Sequence, residues 1–281
     1  MIRDQDSGFR GQWGAWGIRF GRAGFLLAVL ALPLLGTPLE AQRRRGGGGF
    51  GVNGEAALYH GPNPPYDGRF TYARIKFTQS CCVQGGQYWD VKWGHDYPSA
   101  DQNLPKILQE LTSMKLRTDG SVIVTLDDPE LFKYPFAYLC EVGYWVPNDQ
   151  EVLGLRNYLL KGGFIIVDDF EGNHWYNFEE QMKRVFPELR PLPVDPSHPL
   201  FDSFYRIDAQ LYREGSFSNR PAQFYGFFED NDPKKRMMMI VNYEFDVGEF
   251  WEHSAEGFFP IALTNEAYKL GVNYVIYSLT R

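Results

Sequence analysis

Four residues within seven positions carry the densest potential for chemistry in this chain: Asp168, Asp169, Glu171 and His174. Carboxylate oxygens and an imidazole nitrogen so close together could hold Zn²⁺ or a harder divalent cation. Without a metal, a carboxyl with a raised pKa could act as general acid or base, which makes Asp168, Asp169 and His174 the candidate catalytic residues. A structural reading stands beside these: one Asp caps the following helix while the other accepts from backbone N–H groups or an Arg. Side chains alternate along an extended chain. Asp168 is therefore expected opposite Val167 and Asp169, and only one of the pair should face a crevice.

Two further stretches have comparable residue types. Tyr243 to His253 holds Glu244, Asp246, Glu249, Trp251, Glu252 and His253, read either as a contribution to the same site or as a solvated acidic loop with an aromatic anchor. Trp93-Gly94-His95-Asp96-Tyr97 offers a His that could pair with Asp96 or another neighbour, or simply cover a sheet edge. Glu141 follows another strand. Trp93, His95, Asp96, Glu141, Glu171, Glu244, Asp246 and Trp251 are the candidate ligand-binding residues. All three stretches follow predicted strands, and open α/β sheets bind ligands beyond the carboxyl ends of their strands.

The elements that must position these residues read as follows. Strands are expected at 70–77, 121–126, 135–140, 164–167, 222–228 and 236–243, from alternating or continuous apolar runs. Helices are expected from Ser99 to about Met114, with Pro105 in the first turn, and over Asp149–Leu160, Asn177–Phe186 and Glu266 to about Thr280. Asn148 with Glu151 predicts a capping box, and Leu153, Leu155, Tyr158 and Leu159 predict the buried side of that helix. Asp128 is expected to cap a short helix at 130–133. Residues 78–99 lack periodicity, as a functional loop would. Strand–helix alternation up to Val167 predicts a doubly wound, mostly parallel sheet.

Composition narrows the setting. Arg19 and Arg22 precede an apolar run, Ala23–Gly36, of signal-peptide length, and Ala41-Gln42 offers a cleavage point. Export to the periplasm or beyond is the expectation, with uncleaved membrane anchoring as the alternative. Residues 42–69, rich in Gly, Arg and Pro, read as a linker. After cleavage the chain would carry 24 basic and 32 acidic residues, a surface that repels nucleic acid. The three cysteines allow one bridge from Cys81 or Cys82 to Cys140, or free thiols; a bond between the neighbours Cys81 and Cys82 would be a strained arrangement. Neither a Gly-rich phosphate loop nor a G-x-S-x-G elbow occurs.

Several stretches together look familiar: HDYPSADQNLPKILQELT (95–112), DPELFKYPFAYL (128–139), EVLGLRNYLLKGGFIIVDDF (151–170), VFPE (185–188), HPLFDSFYRI (198–207) and NEAYKLGVNYVIYSLT (265–280). Over about residues 70–281 the chain resembles the bacterial family known as domain of unknown function 4159. That resemblance implies an α/β fold similar to the class I glutamine amidotransferase-like, flavodoxin-like architecture, and it implies no activity. Amidotransferase-like enzymes present a Cys on a sharp turn after a central strand, whereas here Asp168-Asp169 follows Phe164–Val167. Cys140 lies in an LCE context without the glycines of an elbow.

The expectation is thus a single α/β domain (70–281), exported and non-catalytic, binding an envelope protein or a small-molecule or glycan ligand. No cofactor is assigned, although a divalent metal at Asp168, Asp169, Glu171 and His174 is possible. The alternative is a carboxylate- or metal-dependent hydrolase with its site at Asp168-Asp169.

Overall fold

Every residue of Phe164–Asp168 is buried, as a short apolar strand covered on both faces should be. It is β6 in a seven-stranded sheet. The other members are β1 (Ala73–Ile75), β4 (Val122–Val124), β5 (Phe136–Cys140), β7 (Leu192–Pro193), β8 (Gln223–Phe228) and β9 (Met237–Tyr243). A separate two-stranded hairpin pairs β2 (Val83–Gln84) with β3 (Gln87–Tyr88). This computed structural model describes residues 62–85, 87–207 and 220–281. The expected signal segment and residues 42–61 of the expected linker lie outside the described residues.

The sheet order is β4-β1-β5-β6-β9-β8-β7. The first five strands run parallel, and β8 joins β9 antiparallel. In chain order the parallel part reads 2-1-3-4-5, the flavodoxin-like order, whose switch point lies between the first and third parallel strands, here β1 and β5.

Alternation along the strands divides the core. Ala73, Ile75, Ala137, Leu139, Ile165, Val167, Met239 and Val241 pack with α2 (Asp149–Leu160) and α3 (His174–Val185). Tyr72, Phe136, Tyr138, Cys140, Phe164, Ile166 and Ile240 pack with α1 (Ser99–Leu111), α4 (Val247–Glu252) and α5 (Ile261–Thr280). The second face also carries fully buried polar side chains on its strands, among them Arg74, Tyr138, Asp168 and Asn242.

Several local expectations hold. Asn148 and Glu151 form the capping box of α2, and Asp128 accepts from Glu130 N–H. Others need correction. Leu153 is 52% exposed, because Val152, Leu155, Tyr158 and Leu159 already fill the inward side of α2. Pro105 lies well inside α1, since that helix starts at Ser99. His174 is the first residue of α3 and not part of a loop before it. Residues 62–69, read as linker, are tied to the domain: the Asn63 amide bonds both the C=O (2.7 Å) and the N–H (2.9 Å) of Ile123 on the edge strand β4.

The cysteine expectation also changes. Cys81 and Cys82 are bonded to each other, and Cys140 is free and buried. Cys140 is the last residue of β5. It points into the second face, where its sulfur lies 3.4 Å from the carbonyl of Lys92 and 3.5 Å from Arg74 Nη1.

Candidate functional site

The buried polar residues of the second face line up across the carboxyl ends of the strands. Arg74 pairs with Asp101 of α1, both side chains fully buried. Arg74 Nη1 also donates to the carbonyls of Trp93 (3.0 Å) and His95 (2.8 Å). A buried guanidinium thereby fixes the loop that carries His95. Tyr138, Asp168 and Asn242 sit on adjacent strands, and Asn242 Oδ1 accepts from Tyr274 of α5 at 2.7 Å.

Asp168 is satisfied from four sides. It accepts from Tyr138 Oη (2.8 Å), Asn242 Nδ2 (2.8 Å), and the N–H groups of Val247 and Gly248 (2.9 Å each). Two of these are first-turn N–H groups of α4, so Asp168 serves that helix in the manner of a cap from a distant strand. Burial lifts its pKa to about 6, against the hydrogen bonds from Asn242, Gly248 and Tyr138.

Asp169 goes the other way. Its backbone is left-handed at φ 54, as are Glu141 at φ 49 and Glu244 at φ 58. Each is an acidic residue just past the end of a strand: β5, β6 and β9. Such backbone in residues bearing a β-carbon costs about 1 kcal/mol or more and clusters at functional sites. The turns bring Glu141 and Asp169 to His95. Nδ1 of His95 lies 3.2 Å from Asp169 Oδ2 and 3.3 Å from Glu141 Oε1, while Nε2 lies 2.8 Å from Asp90 Oδ1. Lys92 Nζ closes the network at 2.7 Å from Glu141 and 3.0 Å from Asp90.

With carboxylates at both ring nitrogens, His95 is an imidazolium that donates twice. Burial opposes that charge, but the hydrogen bonds to Asp169 and Asp90 prevail and hold its pKa well above the ordinary value. Burial, reinforced by the charge of Asp169, raises Glu141 to about 7. Asp90 falls to about 2, because its bonds to His95 and Lys92 outweigh burial.

The remaining sequence candidates are placed as follows. His174 stacks edge-on against Tyr144, with centroids 4.8 Å apart, and among the described residues no hydrogen bond joins it to Asp168 or Asp169. Glu171 is exposed. Glu244 accepts from Gly172 N–H and pairs with Arg220 at 2.7 Å. Asp246 caps α4 through Glu249 N–H. Asp96 meets Tyr138 Oη at 3.1 Å. Trp93 and Trp251 are core residues, 4% and 0% exposed, and the Trp251 indole donates to Ala267 O.

Two groups of possible metal ligands emerge near the switch point: His95 with Glu141 and Asp169, and Asp96 with Asp246 and Glu249. A third, Glu249 with Glu252 and His253, lies along α4 and the residue after it.

This geometry belongs to a stretch of chain with a sequence match of its own. Residues 79–279 match a family described as a domain of unknown function, DUF4159. The chain belongs to that family. No curated protein matches it in sequence. The match spans the hairpin, helices α1 to α4, all of α5 but its last residue, and Asp90, Lys92, His95, Glu141 and Asp169, so the His95 network lies inside the DUF4159 domain.

The sequence marks His95, Glu141 and Asp169 separately and does not single out Asp90, Lys92, Asn242 and Tyr274 of this DUF4159 domain, or Arg74, which precedes the matched residues. Asp90 and Lys92 did lie in the aperiodic stretch singled out as a functional loop. Nothing local marks Arg74 or Asn242: each is one polar residue on a strand whose partner is tens of residues away.

Proposed function

We propose that this DUF4159 chain is an exported, non-catalytic domain of the cell envelope that binds its ligand in the crevice beyond β5 and β6, through a divalent cation. One observation carries the reading: ligand atoms of His95, Glu141 and Asp169 lie within 4.8 Å of one another, on three separate segments at the carboxyl end of the sheet. An imidazole with two carboxylates suits Zn²⁺ or Mn²⁺, with the cation taking the place of the proton on His95 Nδ1, so that binding releases that proton. Asp90, Lys92 and the Arg74-anchored loop hold these groups converged against the mutual repulsion of their charges. The non-catalytic part is supported by what is engaged elsewhere. Cys140 is buried, with its thiol pKa pushed well up by that burial, and Asp168 is enclosed by four donors.

A cation held this way can bridge to a carboxylate or hydroxyls of a small molecule, glycan or protein partner. The acidic surface disfavours nucleic acid. Among the described residues no helix is long and apolar enough to cross a membrane; envelope location rests on the signal segment read from the sequence.

The carboxylate- or metal-dependent hydrolase remains the second reading, favoured by Glu141 alone. A carboxyl lifted to about 7 is poised for general acid–base work near neutral pH. In that reading the centre moves from Asp168 to Glu141 and Asp169.

Calorimetric titration with MnCl₂ and ZnCl₂ tests the proposal. Saturable binding to wild type, lost in Glu141→Gln and Asp169→Asn but kept in Glu171→Gln, is expected; no binding to folded wild type overturns it. Turnover of ester, glycoside or phosphoester substrates abolished by Glu141→Gln would select the hydrolase instead.

A further inference from the structure

The loop leading into the candidate site carries a disulfide between chain neighbours, Cys81 and Cys82. A cross-link between neighbours removes almost no chain entropy, because it closes no loop beyond one peptide unit. Its effect is local. Cys82 stands at φ 67, a left-handed conformation that residues with a β-carbon seldom adopt. In that conformation its carbonyl accepts from Trp89 N–H at 2.9 Å, which ties the end of the loop to its start.

One side chain links this loop to the His95 network. Gln79 is buried. Its Nε2 donates to the carbonyls of Cys81 (3.1 Å) and Asp90 (2.8 Å), and its Oε1 accepts from Lys92 N–H at 2.9 Å. Asp90 and Lys92 are the residues that hold His95 and Glu141. The disulfide and the site therefore share one amide.

We infer that Cys81–Cys82 is a thiol–disulfide exchange site for a dithiol reductant, and that its reduction releases the loop holding Asp90 and Lys92 against His95 and Glu141. The exchange balances in two steps. A thiolate of the reductant attacks one sulfur and breaks the S–S bond, giving a mixed disulfide; its second thiol then displaces the cysteine. Two electrons and two protons pass to the protein, leaving two cysteine thiols and an oxidised, cyclic reductant. Cys81 and Cys82 are both partly exposed, whereas Cys140 is fully buried and takes no part. With the ring open, Cys82 is free to leave the left-handed region, and the Trp89 and Gln79 contacts loosen with it. The consequence for cation binding rests on the function proposed above; the exchange chemistry does not.

The intact folded chain, treated with dithiothreitol, provides the test. Thiol counting should show two new reactive thiols without denaturant. Hydrogen exchange at the Trp89 and Lys92 amides should quicken at least tenfold, and Mn²⁺ binding should weaken several-fold. The Cys81→Ser/Cys82→Ser variant should behave like the reduced protein, and Gln79→Ala should make exchange at Lys92 fast and indifferent to dithiothreitol. Mn²⁺ suits the assay because it has little affinity for thiols. Failure of the bond to form or to be reduced in the folded chain overturns the inference, and so does reduction that leaves exchange unchanged. If the oxidised protein binds no Mn²⁺, the cation reading falls, while the exchange measurement still decides the redox one.

Discussion

Tyr138 stands 2.8 Å from Asp168 and gives it the only proton its hydroxyl has. The same oxygen lies 3.1 Å from Asp96 Oδ2. Asp168 already faces three N–H donors, so it is the natural acceptor, and the contact with Asp96 is a hydrogen bond only if Asp96 supplies the proton. The direction of its pKa agrees: burial, with the charge of Asp169 added, holds Asp96 well above the carboxylate range.

Tyr138→Phe removes that relay. Asp168 keeps its backbone and Asn242 donors, but Asp96 is left buried without the phenol. A stability loss of about 1–3 kcal/mol is expected, the usual cost of orphaning a buried polar group. Urea unfolding checks it, with an unchanged slope showing that the fold is otherwise intact.

The pH dependence follows from Asp168. Its folded pKa of about 6 lies above the unfolded value near 3.9. The folded state therefore binds the proton more tightly. The penalty for ionising Asp168 is present in full above pH 6 and fades as pH falls toward 4. Relative to Asp168→Asn, which cannot titrate, wild type should gain on the order of 1–3 kcal/mol between pH 7 and pH 4. Parallel stability curves for the two proteins would contradict this.

Arg74 is the anchor beneath the His95 loop, and lysine should not replace it. The guanidinium donates at once to Asp101 and to the Trp93 and His95 carbonyls, a fork that an ammonium cannot reproduce. Arg74→Ala leaves Asp101 buried and unpaired, which costs about 3–5 kcal/mol. Arg74→Lys should fold but lose order in the loop. That is measurable as faster exchange at the His95 and Tyr97 amides, whose bonds to Lys92 and Gly94 carbonyls set the turn.

Much of this frame is legible along the chain. The capping box at Asn148, the Gly162-Gly163 break and the apolar run 164–167 mark a helix feeding a central strand by local rules alone. The inward turn of Asp168 follows from simple alternation along β6. The meeting of His95 with Asp169, 74 residues apart, does not. It depends on β1, β5 and β6 being neighbours, an outcome of the whole strand order. The left-handed turns at Glu141 and Asp169 are equally silent, since no glycine announces them. His174 looked close because it is close in sequence; the start of α3 at that residue sets it against Tyr144 instead.

Gly248 tests how tightly the polar seam is packed under α4. A β-carbon there would fall 2.3 Å from Asp96 Oδ2 and 2.4 Å from Tyr138 Oη, both buried. Neither atom can swing into solvent, so Gly248→Ala must lift α4 or break the Asp96–Tyr138 contact. A loss of about 1–3 kcal/mol is expected from such overpacking. The cause can be isolated by combining it with Tyr138→Phe. Deleting the hydroxyl removes one of the two clashing atoms, so the double variant should be more stable than the sum of the single losses implies, by about 0.5 kcal/mol or more. Strict additivity would place the clash elsewhere and leave Asp96 as the sole obstacle.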